Sequence, residues 1–353
     1  MKFKYLILLI PIFFLIILYF SCADTGVNPF AIPEGTTTLR VYNLKPLDPN
    51  IDGLYEAWLL IDSSGSTIYS SMGVFNVDNS SNPIDPTSGQ QKSLKFTGDT
   101  NMLNNATHCT ISIATPGNQG NFSNQPCFLD VLLTHWDDSL TGNLTIGGSL
   151  ALDTIGRVLI EQPDKHFGLY MLYSRTSNNP NADCKKGIWF CDVSGFSSLG
   201  WLGALPQNSL WIYEGWVKDS TSDGGPYYYS TGRFSDPAHM DLDSAGSCSG
   251  PNKSAAFDKP GQEWIQQNCP SGKPAIDSLY GDGYKVFITL EPKSKTVPDH
   301  PFFFKIFFNT RIPPLGCGQQ DIINNPFVYG QLPFYKNGPY ATVNIRYNNH
   351  YFH

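Results

Sequence analysis

Two carboxylates recur in the same setting, Glu56 in Tyr55-Glu56-Ala57-Trp58 and Glu214 in Tyr213-Glu214-Gly215-Trp216. A carboxylate in an otherwise apolar strand is costly to bury unless it accepts hydrogen bonds from a turn or pairs with Lys or Arg. The alternative is contact with a ligand. Strand alternation puts each Glu on the face of the Trp two positions on. A second acidic grouping, Asp236-Pro-Ala-His-Met-Asp241-Leu-Asp243-Ser-Ala-Gly246, spaces oxygen ligands before a glycine, as part of a calcium loop would. No bidentate Glu follows at EF-hand spacing, so an ordinary polar loop competes with a hard-cation site formed by Asp236, Asp241 and Asp243. Asp137-Asp138 reads as a solvated turn. The seven histidines, His108, His135, His166, His239, His300, His350 and His353, show no metal-ligand pattern. No nucleophile elbow, P-loop or dinucleotide fingerprint is present, so no reaction is assigned and no cofactor beyond calcium is suggested.

The elements that would position these groups repeat. About a dozen residues after each Tyr-Glu-x-Trp, Tyr69-Ser-Ser-Met-Gly73-Val-Phe75 matches Tyr228-Tyr-Ser-Thr-Gly232-Arg-Phe234, in register to within one residue. Further on, Thr110 to Pro116 followed by Pro126 to Leu132 echoes Val286 to Pro292 followed by Pro301 to Phe307, with Thr115 laid over Glu291. Loops of different length between the motifs absorb the change of offset. Each motif is a short apolar or aromatic run bounded by Asp, Gly, Asn or Ser, and Gly73 and Gly232 sit where a bulge is expected. Thr38 to Leu44, Gly168 to Tyr173 and Gly187 to Phe190 add strands, and the third motif pair reads as a hairpin. The expectation is an all-β chain of two tandem β-sandwich-like modules. Its boundaries are a signal segment 1–21, a linker 22–37, a first module 38–177, a linker 178–186, a second module 187–312 and a C-terminal extension 313–353. Tyr227-Tyr-Tyr229 and Phe302-Phe-Phe304 each put a ring on the face away from its own core. Those rings would stack on sugars, form an interface, or be buried where the two copies pack face to face.

The compartment follows from the first residues and the cysteines. Lys2 and Lys4 precede an apolar run from Tyr5 to Phe20, which reads as an export signal. Ser21 before Cys22 resembles the lipobox of bacterial lipoproteins, which implies acylation of Cys22 and attachment to a membrane. An uncleaved anchor and simple secretion are the alternatives. Cys109, Cys127, Cys184, Cys191, Cys248, Cys269 and Cys317 have no zinc-ribbon or haem spacing, and disulfides are the default outside the cytoplasm. Sequence neighbours suggest Cys109 with Cys127, Cys184 with Cys191 and Cys248 with Cys269, leaving Cys317 alone; buried free thiols are the alternative. With 353 residues, a net charge of -7 and only 15% charged residues, the chain is a poor nucleic-acid binder.

Tyr-Glu-x-Trp, Ser-x-Gly-x-Phe and an Ile-Thr-Leu-Glu-Pro strand together are similar to the C-terminal extracytoplasmic domain of anti-sigma-K factors, here in tandem. The second copy carries the resemblance through Tyr213, Glu214, Trp216, Gly232, Phe234, Glu291 and Pro292, and the first through Tyr55, Glu56, Trp58, Gly73 and Phe75. The resemblance implies a β-sandwich-like fold and a sensory or binding role on the export side. Sigma-factor inhibition is not implied, because only Met1 to Lys4 precede the apolar run. The expected function is that of a non-catalytic envelope lipoprotein with a structural, sensory or binding role and protein partners in the envelope. A carbohydrate- or calcium-binding surface protein, a subunit of a membrane complex and an envelope hydrolase are the rivals.

Overall fold

The computed structural model describes residues 34–63, 65–136, 139–144, 167–197, 199, 202–297, 299–324 and 339–347. The signal segment, Cys22, most of the linker 22–37, Asp137-Asp138, His166, His350 and His353 lie outside the described residues.

The chain is nearly all β, as expected. The first group of strands is β1 (Glu34–Tyr42), β2 (Leu54–Ser63), β3 (Ser66–Val77), β4 (Pro83–Ile84), β5 (Lys95–Asp99), β6 (Ala106–Ala114), β7 (Cys127–Leu132), β8 (Thr134–Trp136) and β9 (Ser139–Leu144). The second is β10 (Phe167–Leu172), β11 (Gly187–Trp189), β12 (Trp211–Asp219), β13 (Tyr227–Phe234), β14 (Gly261–Glu263), β15 (Tyr284–Pro292), β16 (Lys305–Asn309), β17 (Gln320–Asn324) and β18 (Tyr340–Tyr347). They form three antiparallel sheets, ordered β5-β1-β18-β9-β8, β4-β3-β2-β6-β7 and β13-β12-β15-β16-β17-β10-β11-β14. Residues Leu54 to Ile61 of β2 are buried on both faces, which is why that run lacks polar alternation. In β1 the alternation is clean: Thr37, Leu39 and Val41 are buried while Thr36 and Arg40 are exposed.

The two motif copies hold equivalent places. Tyr55 lies opposite Phe75 and Ile113, and Tyr213 opposite Phe234 and Leu290. Both motif hairpins carry a register shift between the Glu and the Trp, and the facing glycines are left-handed, with φ 104 at Gly73 and φ 95 at Gly232. That is the glycine bulge the spacing suggested. At Gly232 an added Cβ would fall 2.4 Å from the Asp241 carboxyl carbon, so the site also excludes any side chain. The third motif needs a correction. Glu56 pairs with Ser112 and Glu214 with Thr289, so Ala114, not Thr115, takes the place of Glu291. A one-residue slip moves every side chain to the other face, which is why register rather than residue likeness decides the match.

The boundaries follow the sheets. Strands β3-β2-β6-β7 correspond to β13-β12-β15-β16, and β5-β1-β18-β9 correspond to β14-β11-β10-β17. Strand β10, placed above in the first module, therefore belongs to the second. Its counterpart is β18, from the stretch set apart as a C-terminal extension, and it runs between β1 and β9 along most of its length. The end of the chain thus supplies a central strand of the first module, and β17 joins the two halves of the second. One continuous core runs from Leu39 through Phe304 to Ile345. At the seam Phe302 and Phe304 are buried, and Phe303 and Phe304 pack against Phe128. The Phe triplet lies in the connection before β16, with Phe303 half-buried against Tyr55 and Phe128 of the first module.

Two disulfides, Cys184–Cys317 and Cys248–Cys269, cross-link the second module. The expected Cys184–Cys191 pair is not formed, because pairing of β17 with β10 brings the Cys317 turn back to Cys184. Cys109 and Cys127 are also unbonded. Cys109 lies in the core beside Ile111, whereas the Cys127 thiol meets Thr110 Oγ1, which alternation places on the opposite face. No helix among the described residues is long and apolar enough to cross a membrane.

Candidate functional site

Glu56 and Glu214 are 2% and 3% exposed. In the first module Ser71 Oγ donates to Glu56 Oε1 at 2.6 Å, and Gln125 Nε2 and the Gly120 amide donate to Oε2 at 2.7 and 3.0 Å. Trp58 Nε1 donates to Ser112 Oγ at 2.9 Å, and Ser112 donates to Gln125 Oε1 at 2.5 Å. The second module repeats the arrangement: Ser230 Oγ donates to Glu214 Oε1 at 2.6 Å, and Trp216 Nε1 donates to Thr289 Oγ1 at 2.9 Å. Even the tyrosines match, Tyr55 donating to the Lys45 carbonyl and Tyr213 to the Gly203 carbonyl, each ten residues upstream.

The copies differ at one node. Where Gln125 closes the first network, Glu291 closes the second, accepting from Thr289 Oγ1 at 2.6 Å, the Phe302 amide at 3.0 Å and Lys295 Nζ at 2.7 Å. Burial alone would raise the Glu291 carboxyl, but the Lys295 ammonium and these donors hold it below its ordinary value. Its neighbour Glu214 moves the other way: burial, then the Glu291 charge, raises it to about 8. Arg233 Nε lies 3.5 Å from Glu214 Oε2. Two carboxylates with opposed shifts are what acid-base chemistry requires, but this pair sits in a sealed core and not in a cleft. Gln125 was missed from sequence because a loop of different length brings it to the node.

The acidic loop does not converge on a cation. Asp236 accepts from the Ala238 amide at 2.9 Å, and its carboxylate lies 3.7 Å from His239 Nε2. Asp241 Oδ2 accepts from the Gly261 amide at 2.8 Å. Burial first, then Asp243, pushes Asp241 up to about 9, and burial also raises Asp243; the Asp243 amide donates to Asp241 Oδ1 at 3.3 Å. Among the described residues no three His, Cys, Asp or Glu side chains are grouped to hold a metal ion. Asp236 thus caps a turn, while Asp241 and Asp243 lie together against the Gly261 strand.

The open feature lies elsewhere. A trough of about 930 Å³ covers the solvent face of the first module's β5-β1-β18-β9-β8 sheet. Its floor is Thr36, Thr38 and Arg40 of β1, Thr342, Asn344 and Arg346 of β18, and Thr141 and Asn143 of β9; Val131, Leu132 and Thr134 form a rim. The signal for it was present in Thr36-x-Thr38-x-Arg40 and Thr342-x-Asn344-x-Arg346, which interleave with the buried positions. No protein family, curated protein or solved structure matches the chain.

Proposed function

We propose that this chain is an exported, lipid-anchored protein of a bacterial envelope, with a binding or structural role and no catalytic centre of its own. Its two modules are read as relatives of the extracytoplasmic domain of anti-sigma-K factors, serving here without sigma-factor inhibition. One observation carries the reading. The acids that the motif repeats, Glu56 and Glu214, are spent on internal hydrogen bonds, while the trough on the β5-β1-β18-β9-β8 sheet is a polar face without an acid in its lining. Such a face suits recognition better than bond cleavage, which needs acids or nucleophiles within reach of substrate. The two disulfides support an oxidising compartment outside the cytoplasm.

Fractionation of the native host with intact-mass measurement tests this. The expected product is membrane-bound, begins at Cys22 and carries acyl chains. Retention of Met1 in the membrane fraction would replace the lipid with an uncleaved anchor and overturn that part alone. A cytoplasmic product with Met1 retained would overturn the whole reading.

A further inference from the structure

The trough's floor is ordered by strand register. Arg40 stands beside Thr342, Thr38 beside Asn344 and Thr36 beside Arg346, all on the face opposite buried Leu39, Val41, Val343 and Ile345. Beyond Arg40 the same face ends in Tyr42 and Tyr340, paired in register and stacked with ring centroids 4.5 Å apart and planes 11° apart. Exposed Lys95, opposite Thr38 on β5, adds a third cation. Asp99 stands at the far end, opposite Glu34. Three cations on that face outnumber the two acids at its far end, a net charge of +1 in a chain of net charge -7. None of Arg40, Lys95 and Arg346 forms an ion pair among the described residues; Arg346 Nε instead donates to Asn344 Oδ1 at 3.2 Å. Thr36 to Tyr42 spans about 20 Å at roughly 3.4 Å per residue, room for an oligosaccharide and more than a single sugar.

We propose that this face binds an acidic polysaccharide rich in uronate sugars. Hydroxyls of the glycan meet the Thr and Asn side chains, carboxylates meet Arg40 and Arg346, and a ring face packs on the tyrosine pair. This rests on the binding role proposed above and names its ligand.

The test is calorimetric titration of the mature protein with oligogalacturonate, a neutral cello-oligosaccharide and poly-glutamate. The expected result is uronate binding that weakens with salt, with at least about tenfold weaker binding of the neutral sugar and of the peptide. Arg40→Ala/Arg346→Ala, an exposed double change expected to leave the melting temperature unaltered, weakens uronate binding about tenfold or more. Arg40→Lys/Arg346→Lys loses less. Tighter binding of the neutral sugar would overturn the acidic ligand and leave the binding role standing. Equal binding of poly-glutamate would overturn the sugar. Uronate binding unchanged in the double alanine variant would overturn the site. No binding by any probe would overturn this inference, and fractionation still decides the envelope assignment separately.

Discussion

Lys295→Met is the sharpest perturbation of the second module's buried network. The Lys295 and Glu291 side chains are 1% and 0% exposed, 2.7 Å apart, and Lys295 Nζ also donates to the His300 carbonyl. Methionine keeps most of the stem but removes the ammonium, which lies 5.5 Å from the Trp216 ring centroid. Breaking a buried pair from one side costs about 3 to 5 kcal/mol, because the remaining carboxylate is left uncompensated. At about 2 to 4 °C per kcal/mol for a module of this size, the melting temperature falls by about 6 to 20 °C. The sign with pH follows from Glu291, whose lowered carboxyl contributes stability above its ordinary value near 4.5 that is lost as pH falls through the folded value. That contribution is constant between pH 8 and 5 in the parent protein; without Lys295, burial raises the Glu291 carboxyl instead, and its protonation as pH falls relieves the uncompensated charge, so the deficit is large at pH 8 and shrinks toward pH 5. Adding Glu291→Gln to Lys295→Met removes both charges and recreates the neutral node that Gln125 forms in the first module. The double variant should recover about 2 kcal/mol or more. Urea unfolding followed by Trp fluorescence at both pH values measures this. A loss below about 1 kcal/mol for Lys295→Met, equal at pH 5 and 8, would refute the reasoning.

Three other outcomes follow from the same geometry. Ser71→Ala and Ser230→Ala each remove the hydroxyl donor to a buried Glu and should each cost about 1 to 3 kcal/mol in urea unfolding; a silent change at either site contradicts their equivalence. Stability from keeping Glu214 protonated is present below its ordinary value near 4.5 and is lost as pH rises toward about 8, so Glu214→Gln should flatten the pH profile of melting in that window. Deleting the chain from residue 340 removes buried Val343 and Ile345, about 1.5 to 3 kcal/mol each, together with two strand ladders. Hydrogen exchange should then show the first module open and β12, β13 and β15 still protected; protection retained in β1 and β9 contradicts the strand equivalence.

Much of this architecture is legible in the chain itself. Repetition of Tyr-Glu-x-Trp and of Ser-x-Gly-x-Phe marks the hairpins, since only glycine fits the left-handed bulge opposite each motif. Long-range closure is not legible: nothing local in Tyr340–Tyr347 says that its partner is Glu34–Tyr42, and strand pairing over such separation is fixed by the whole core. The same limit hid Cys184–Cys317, which depends on β17 docking against β10. Glu56 and Glu214 show a different limit. Their identity announces a carboxylate, but whether it faces a ligand or a serine depends on what the returning strand and loop deliver.

Carboxyl footprinting with carbodiimide and an amine under native conditions, read by mass spectrometry, bears most directly on the claim that the repeated acids are architecture. Glu56, Glu214, Glu263 and Glu291 should stay unlabelled while exposed Asp258, Asp282 and Asp299 react, with all seven reacting after denaturation and reduction. Rapid native labelling of Glu56 or Glu214 would show an open site at the motif and contradict the account.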